Sequence, residues 1–360
     1  MVNPFHRKVV GNSQGRLMTI LFFHFDGTCN DPADAEGYHE QDVSITNVLK
    51  SHLLLGGNLS STSRASRLPS GNVSFYYSGV GTYGARWLRY LNAGLAIEQG
   101  DVGHILTNAL IDFQGHYHSN VSAIVLIGFS RGAALARRFA ALIEPWLDRP
   151  IVIEAVMDTV ASIGLPNLDA NVRPNHDVVF EYGCTLPNCV SKALHLVALD
   201  EQRLAFRPTL MNHDERVEEV WLAGVHSDIG GGYRYDGLAD ISLTSLMYWL
   251  QTQLNQQIYQ QVASYAASWM AQDILAIRRN PFGKIHYQDR LPIYGHLTLA
   301  PRRCHVLKQG MPCAKTAPLW HISVLQRMQK HSDYVPIAHC PLVGKAWSIA
   351  QDTPNTRAPA

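Results

Sequence analysis

The chain is poor in charge. Asp, Glu, Lys and Arg make up only 16% of its 360 residues, and the net charge is +1. So sparse and balanced a set provides no field for gathering nucleic acid or an anionic membrane over a broad surface. Long apolar runs are also missing. No stretch reaches the ~18 apolar residues of a membrane span. "LMTILFFHF" (17–25) stops after nine residues and leads into "DGTCND", not into a small-residue cleavage site. It reads as a buried strand and not as a signal peptide. Cysteine is scarce: Cys29, Cys184, Cys189, Cys304, Cys313 and Cys340, with no C-x-x-C. That spacing fits neither a zinc site nor a small disulfide framework. Cys184 and Cys189 are close enough in sequence to bridge a loop in an oxidising compartment. There is no internal repeat.

Apolar residues are plentiful, at 46%, enough for a large core. They fall into runs with glycine-marked ends: "LMTILFFHF" (17–25), "VSFYYSGVG" (73–81), "SAIVLIGF" (122–129), "RPIVIEAVMD" (149–158) and "VEEVWLAGVH" (217–226). Runs apolar on both faces suit parallel strands covered by helices on each side. Helical patterns lie at 99–116, 131–147 and 239–278. The alternation predicts a three-layer α/β domain with a mostly parallel sheet. Its expected extent is 15–345, with cap segments at about 161–195 and 239–300 and a frayed tail at 346–360. Residues 52–72, rich in Ser, Gly and Leu, read as a surface loop. Tyr248, Trp249, Tyr265, Trp269 and Met270 form either core or a lipid-facing cap.

The most informative stretch is "IVLIGFSRGAALARRFAALI" (124–143). Gly128-x-Ser130-x-Gly132 fits the nucleophile elbow, in which a serine sits on a sharp turn between a strand and a helix. The context agrees. Ile124 to Ile127 form an apolar run, and Leu135, Phe139, Leu142 and Trp146 recur on one helix face. The turn lifts Oγ above the sheet, and amides at the helix start, near Arg131, face the same space. A glycine-softened turn with a capping serine is the plain alternative.

A nucleophilic serine needs a base, and the base an orienting acid. Asp158 ends "VIEAVMD", and Asp228 lies in "GVHSDIGGGY"; the later position favours Asp228. The base is expected after the acid, from among His286, His296, His305, His321, His331 and His339. His321, in "PLWHISVLQRM", enters a helix-like run from the sheet edge. His226 is near Asp228 but early. The Asp26-Gly27-Thr28 turn suggests an aspartyl-phosphate enzyme only if an Asp stands two positions earlier. His24 stands there, and a histidine cannot form the acyl-phosphate. The turn instead sits where hydrolases supply a second oxyanion donor, from Gly27.

Taken together, "FFHFDGTCND" (22–31), "YYSGVGT" (76–82), "GFSRGAALAR" (128–137), "VMDTVASIGLP" (156–166), "ALDEQRLAFRPTL" (198–210) and "VWLAGVHSDIGGGY" (220–233) resemble, in the same order, the catalytic domain of bacterial type VI secretion phospholipase effectors, the Tle1-like family. The resemblance covers about 20–245, with a weaker match at "WHISVLQRM" (320–328). It implies an α/β-hydrolase fold and a Ser-Asp-His triad acting on acyl esters of membrane phospholipids, without metal or organic cofactor. Carried over, the nucleophile is Ser130, the acid Asp228 with Asp158 in reserve, and the base His321 with His226 in reserve. Asp26, Gly27, Arg131 and Gly132 line the oxyanion side. It further implies an immunity protein, a secretion-spike component, peripheral membrane contact, no nucleic-acid partner, and delivery from the cytoplasm without a cleaved signal. Two rival readings are a cytosolic esterase or thioesterase on a soluble ester, and an inactive hydrolase scaffold that binds partners.

Overall fold

A computed structural model describes residues 18–27, 43–59, 64–79, 99–161, 186–233, 236–259, 275–287, 299–349 and 352. In chain order its elements are β1 (Thr19–Phe25), β2 (Val43–Thr46), α1 (Asn47–Leu54), β3 (Ala65–Arg67), β4 (Val73–Tyr77), α2 (Gln99–His116), β5 (Val121–Phe129), α3 (Arg131–Ile143), β6 (Val152–Met157) and β7 (Val190–Ala198). Then come β8 (Val217–Leu222), α4 (His226–Gly230), β9 (Gly231–Tyr233), α5 (Gly237–Leu254), β10 (Val306–Lys308), β11 (Met311–Cys313), β12 (Leu319–His321), α6 (Ile322–Lys330) and β13 (Lys345–Trp347).

Nine strands form one sheet in the order β13-β12-β8-β7-β6-β5-β1-β4-β3. Every pairing in it is parallel except β3 with β4. Helices cover both faces, and the sheet sorts its side chains by parity, as a period of two requires. Ile20 and Phe22 of β1 join Val125 and Ile127 of β5 in one core, under α1 and α5. Leu21, Phe23 and Phe25 join Ile124 and Leu126 in the other, under α2 and α3. This is the α/β-hydrolase architecture. The strand order reverses between β5 and β1, and the crevice beyond the carboxyl ends of strands at such a switch is where open α/β sheets bind ligands. Ser130 and Asp26 stand at those two strand ends.

Four organisational expectations fall partly on described residues. The supposed cap at 161–195 contains β7, which begins at Val190 and lies between β6 and β8 in the middle of the sheet. Residues 162–185 of that segment, with Cys184, lie outside the described residues; the Cys189 thiol donates to the Ala140 carbonyl at 3.5 Å. The helix within 239–300 is core: Ile241, Leu243, Leu246, Trp249 and Leu250 are buried against the sheet. Tyr265, Trp269 and Met270 lie outside the described residues. Within 52–72, expected as a surface loop, Leu53, Leu54, Leu55 and Leu68 are buried, whereas Pro69, Ser70 and Gly71 are exposed; residues 60–63 lie outside the described residues. Of the tail expected from 346, Ala346 and Trp347 belong to β13 of the sheet, where Trp347 donates through Nε1 to Glu218 Oε2 at 2.6 Å; residues 350, 351 and 353–360 lie outside the described residues. No helix among the described residues is long and apolar enough to cross a membrane.

Candidate active site

Ser130 follows β5 and immediately precedes α3, with φ 57° and ψ −125°. A non-glycine residue held there stores backbone strain, which structures tolerate chiefly at functional sites. Its hydroxyl makes no capping bond to α3, so the plain capping reading does not describe it. Both flanking glycines are required by close approach. A Cβ on Gly132 would stand 2.2 Å from the Phe25 carbonyl oxygen and 2.3 Å from that of Asp26. One on Gly128 would stand 2.6 Å from the Ala133 Cα. The elbow is thus wedged between its own helix and the end of β1.

The parallel ladder continues past β5: the Ser130 amide donates to the Met157 carbonyl at 3.0 Å, which puts Asp158 beside the serine. Asp158 also has positive φ, 41°, and is fully buried. Its Oδ2 receives His226 Nδ1 at 2.5 Å. The Arg302 guanidinium clamps both carboxylate oxygens, at 2.6 Å and 2.9 Å. The Ala198 amide adds a fourth bond at 2.9 Å. Burial alone raises a carboxyl's pKa, but here Arg302 and His226 outweigh it and hold Asp158 well below the usual range. His226 opens α4, which folds back over the sheet from the end of β8. Its ring packs 4.5 Å from that of Phe129, centroid to centroid, and 4.8 Å from that of Phe206. Burial lowers its pKa against the pull of Asp158 and Glu201. Glu201 Oε2 also accepts the His226 amide at 3.2 Å.

The favoured pairing of Asp228 with His321 does not occur. Asp228 Oδ1 receives His286 Nδ1 at 2.6 Å. His321 sits at the end of β12, four strand positions from β5, or about 19 Å at ~4.8 Å per strand. It contacts Ser245 at 3.1 Å, Ser323 at 2.8 Å and Asp352 at 3.2 Å. The two reserves, Asp158 and His226, are the residues brought together, with Asp158 following the Met157 that accepts the Ser130 amide. Among the other histidines considered as base, His296 lies outside the described residues.

On the oxyanion side, Asp26 is buried and accepts from Tyr76 at 2.6 Å, Thr46 at 2.7 Å and the Gly27 amide at 2.6 Å. Burial pushes its pKa up to about 6, against the effect of those three bonds. The Gly27 amide expected to face substrate is therefore engaged by the carboxylate beside it, since a buried carboxylate needs donors. Thr28 lies outside the described residues. Arg131 and Gly132 begin α3 directly after the serine.

A second cluster flanks the first. Asp236 precedes α5, and its Oδ1 accepts from the Leu238 and Ala239 amides at 3.1 Å and 3.2 Å. Burial and the charge of Asp228 push it up to about 7. The bond to Asp228 raises the pKa of His286, whose ring stacks on Tyr233 at 4.0 Å. Sequence reading missed Arg302, which is 144 residues from Asp158 and carries no local mark. Glu201 lay inside a quoted motif without being given a role.

Among solved structures, an uncharacterized protein from Pseudomonas aeruginosa is similar over 72% of this chain and 48% of its own, at 19% identity and a TM-score of 0.43. The Tle1 effector bound to the VgrG spike from the Type 6 secretion system is similar over 65% of this chain and 56% of its own, at 24% identity and a TM-score of 0.35. Est1E from Butyrivibrio proteoclasticus is similar over 67% of this chain and 90% of its own, at 12% identity and a TM-score of 0.32. The chain spans about half the length of the first two. No curated protein matches it in sequence. The model for the catalytic domain of Tle1-like type VI secretion phospholipase effectors matches residues 20–146 and 147–273, more than half of the chain. The chain accordingly belongs to the type VI secretion phospholipase effector family, Tle1-like, catalytic domain.

Proposed function

We propose that this protein is a serine hydrolase of phospholipid acyl esters, with Ser130 as nucleophile, His226 as general base and Asp158 as orienting acid. The observation that carries this reading is the Asp158–His226 bond of 2.5 Å beside a strained Ser130. With Nδ1 held by Asp158, Nε2 is the nitrogen left to take the Ser130 proton. Oγ attacks the ester carbonyl, and the tetrahedral oxyanion is held by the Arg131 amide, in the residue after the nucleophile. A second donor at Gly27 requires its bond to Asp26 to be given up. His226 then protonates the departing alcohol, and water repeats the sequence to release the fatty acid. Asp158 stays ionised throughout, and the Arg302 clamp keeps it so.

Membership of a phospholipase effector family supports phospholipid as the substrate class; antibacterial use, delivery on a secretion spike to a target cell and neutralisation by an immunity protein are part of the same proposal. The test is fatty-acid release from phosphatidylethanolamine–phosphatidylglycerol vesicles. Release by the native chain, abolished by Ser130→Ala and His226→Ala but kept by His321→Ala, is the expected result. Cleavage of a short soluble ester with none from vesicles would reassign the substrate. Inactivity on both would sink the enzymatic reading.

A further inference from the structure

Three residues outside the proposed triad converge from separate parts of the chain. Asp228 comes from α4, Asp236 from the residue before α5, and His286 from the segment 275–287. One donor atom from each lies within 4.8 Å of the other two. Asp228 is fully buried and Asp236 is 3% exposed. The Asp228 carboxylate is held in place, with Oδ2 accepting from the Val225 amide at 2.9 Å and the His286 amide at 3.1 Å. Asp236 is different. Its Oδ1 caps α5, but its Oδ2 is buried with no hydrogen-bond partner among the described residues. A buried carboxylate oxygen normally has a donor or a cation. Here two buried carboxylates face one imidazole, so even a charged His286 balances only one of them.

We propose that Asp228, Asp236 and His286 bind one divalent transition-metal ion of the zinc class. A divalent cation balances both carboxylates beside a neutral imidazole and gives Asp236 Oδ2 a partner. Two oxygens and one nitrogen suit zinc, which takes three protein ligands at about 2.0–2.2 Å and leaves one position open. Calcium and magnesium instead want six or more oxygens. Tetrahedral bonds of that length set donors about 3.4 Å apart, which the present spacing reaches with small side-chain shifts. His286 Nδ1 would exchange its bond to Asp228 for the metal or turn Nε2 towards it. The bound ion would tie α4, which begins at His226, to the start of α5 and to the 275–287 segment.

The site is independent of the hydrolase reading, and its test reads bound metal. The full chain, stripped with EDTA and dialysed, is titrated with zinc chloride by calorimetry, and bound zinc is counted after gel filtration. The expected result is one zinc per chain with a Kd below about 1 μM, and a Tm raised by several degrees. Asp236→Asn keeps the capping oxygen while removing the charge. It and His286→Gln should each weaken binding at least about a hundredfold. Circular dichroism melting checks that both variants fold, and either one suffices. No binding tighter than about 100 μM, or undiminished stoichiometric binding by the folded variants, overturns the proposal. So does an Asp236→Asn protein more stable than the zinc-saturated native chain, because a proton on Asp236 would then account for the cluster.

Discussion

Asp158 Oδ2 and His226 Nδ1 lie 2.5 Å apart although 68 residues separate them in sequence and β7 separates the strands that lead to them. This is the contact on which the catalytic reading rests. Asp158→Asn should lower kcat by about 10³–10⁴-fold with little change in KM, because the amide favours the wrong imidazole tautomer without moving the ring. Steady-state kinetics on a soluble ester give the split. A fall of less than tenfold would move the acid elsewhere.

His321 should matter to stability and not to turnover. It is fully buried, its Nδ1 accepts the Ser323 amide at 3.1 Å, and Asp352 faces its other side. His321→Ala leaves those groups without partners, at a cost of about 1–3 kcal/mol. Urea unfolding measures the loss. At 25 °C the folded variant should retain kcat within severalfold.

Gly132→Ala should be among the most damaging single-methyl additions in the chain. The new Cβ meets two backbone carbonyl oxygens, and backbone cannot swing aside as a side chain can. The expected loss is about 3 kcal/mol or more, with activity falling further because Ser130 shifts. A melting temperature unchanged within two or three degrees (about 1 kcal/mol) would contradict the wedge at the elbow.

Asp26 makes stability fall as pH rises. Its folded pKa, about 6, lies above the ~3.9 of an unfolded aspartate. The folded state therefore holds a proton that the unfolded state has released. The resulting stabilisation is complete below the unfolded pKa and is lost as pH climbs through about 6. Asp26→Asn cannot titrate. Its stability relative to the native chain should improve between pH 4 and pH 7 by at most about 3 kcal/mol. Parallel urea titrations at those two pH values read the difference, and a constant gap would refute the shift.

The strands and the elbow were legible because their signals are local. Ile124 to Ile127 are apolar on both faces and run into Gly128, and the helix that follows has a clear apolar stripe. β7 escaped notice because Ser191, Lys192 and His195 interrupt its apolar run. His195 is nonetheless buried, its Nδ1 2.9 Å from Glu219 Oε2, a pairing visible only once β7 and β8 are side by side. The acid and base could be narrowed to a few candidates but not paired. Expecting the base late in the chain favoured His321, whereas α4 brings a histidine from just past β8 back onto Asp158 and Phe129. Which of Asp158 and Asp228 meets which histidine depends on that fold-back, set by packing against Phe129 and Phe206.

Arg302 bears on how the chain can be cut. The segment matched by the family model stops at residue 273, yet the guanidinium that neutralises Asp158 comes from residue 302, and the sheet gains β12 and β13 beyond that. A fragment trimmed to the recognisable motifs would retain Ser130, Asp158 and His226 while exposing the edge of β8 and leaving an anion buried without its cation. Breaking such a pair from one side costs about 3–5 kcal/mol, a large part of what holds a domain folded. The smallest autonomous unit therefore extends well past residue 273, where the family match ends.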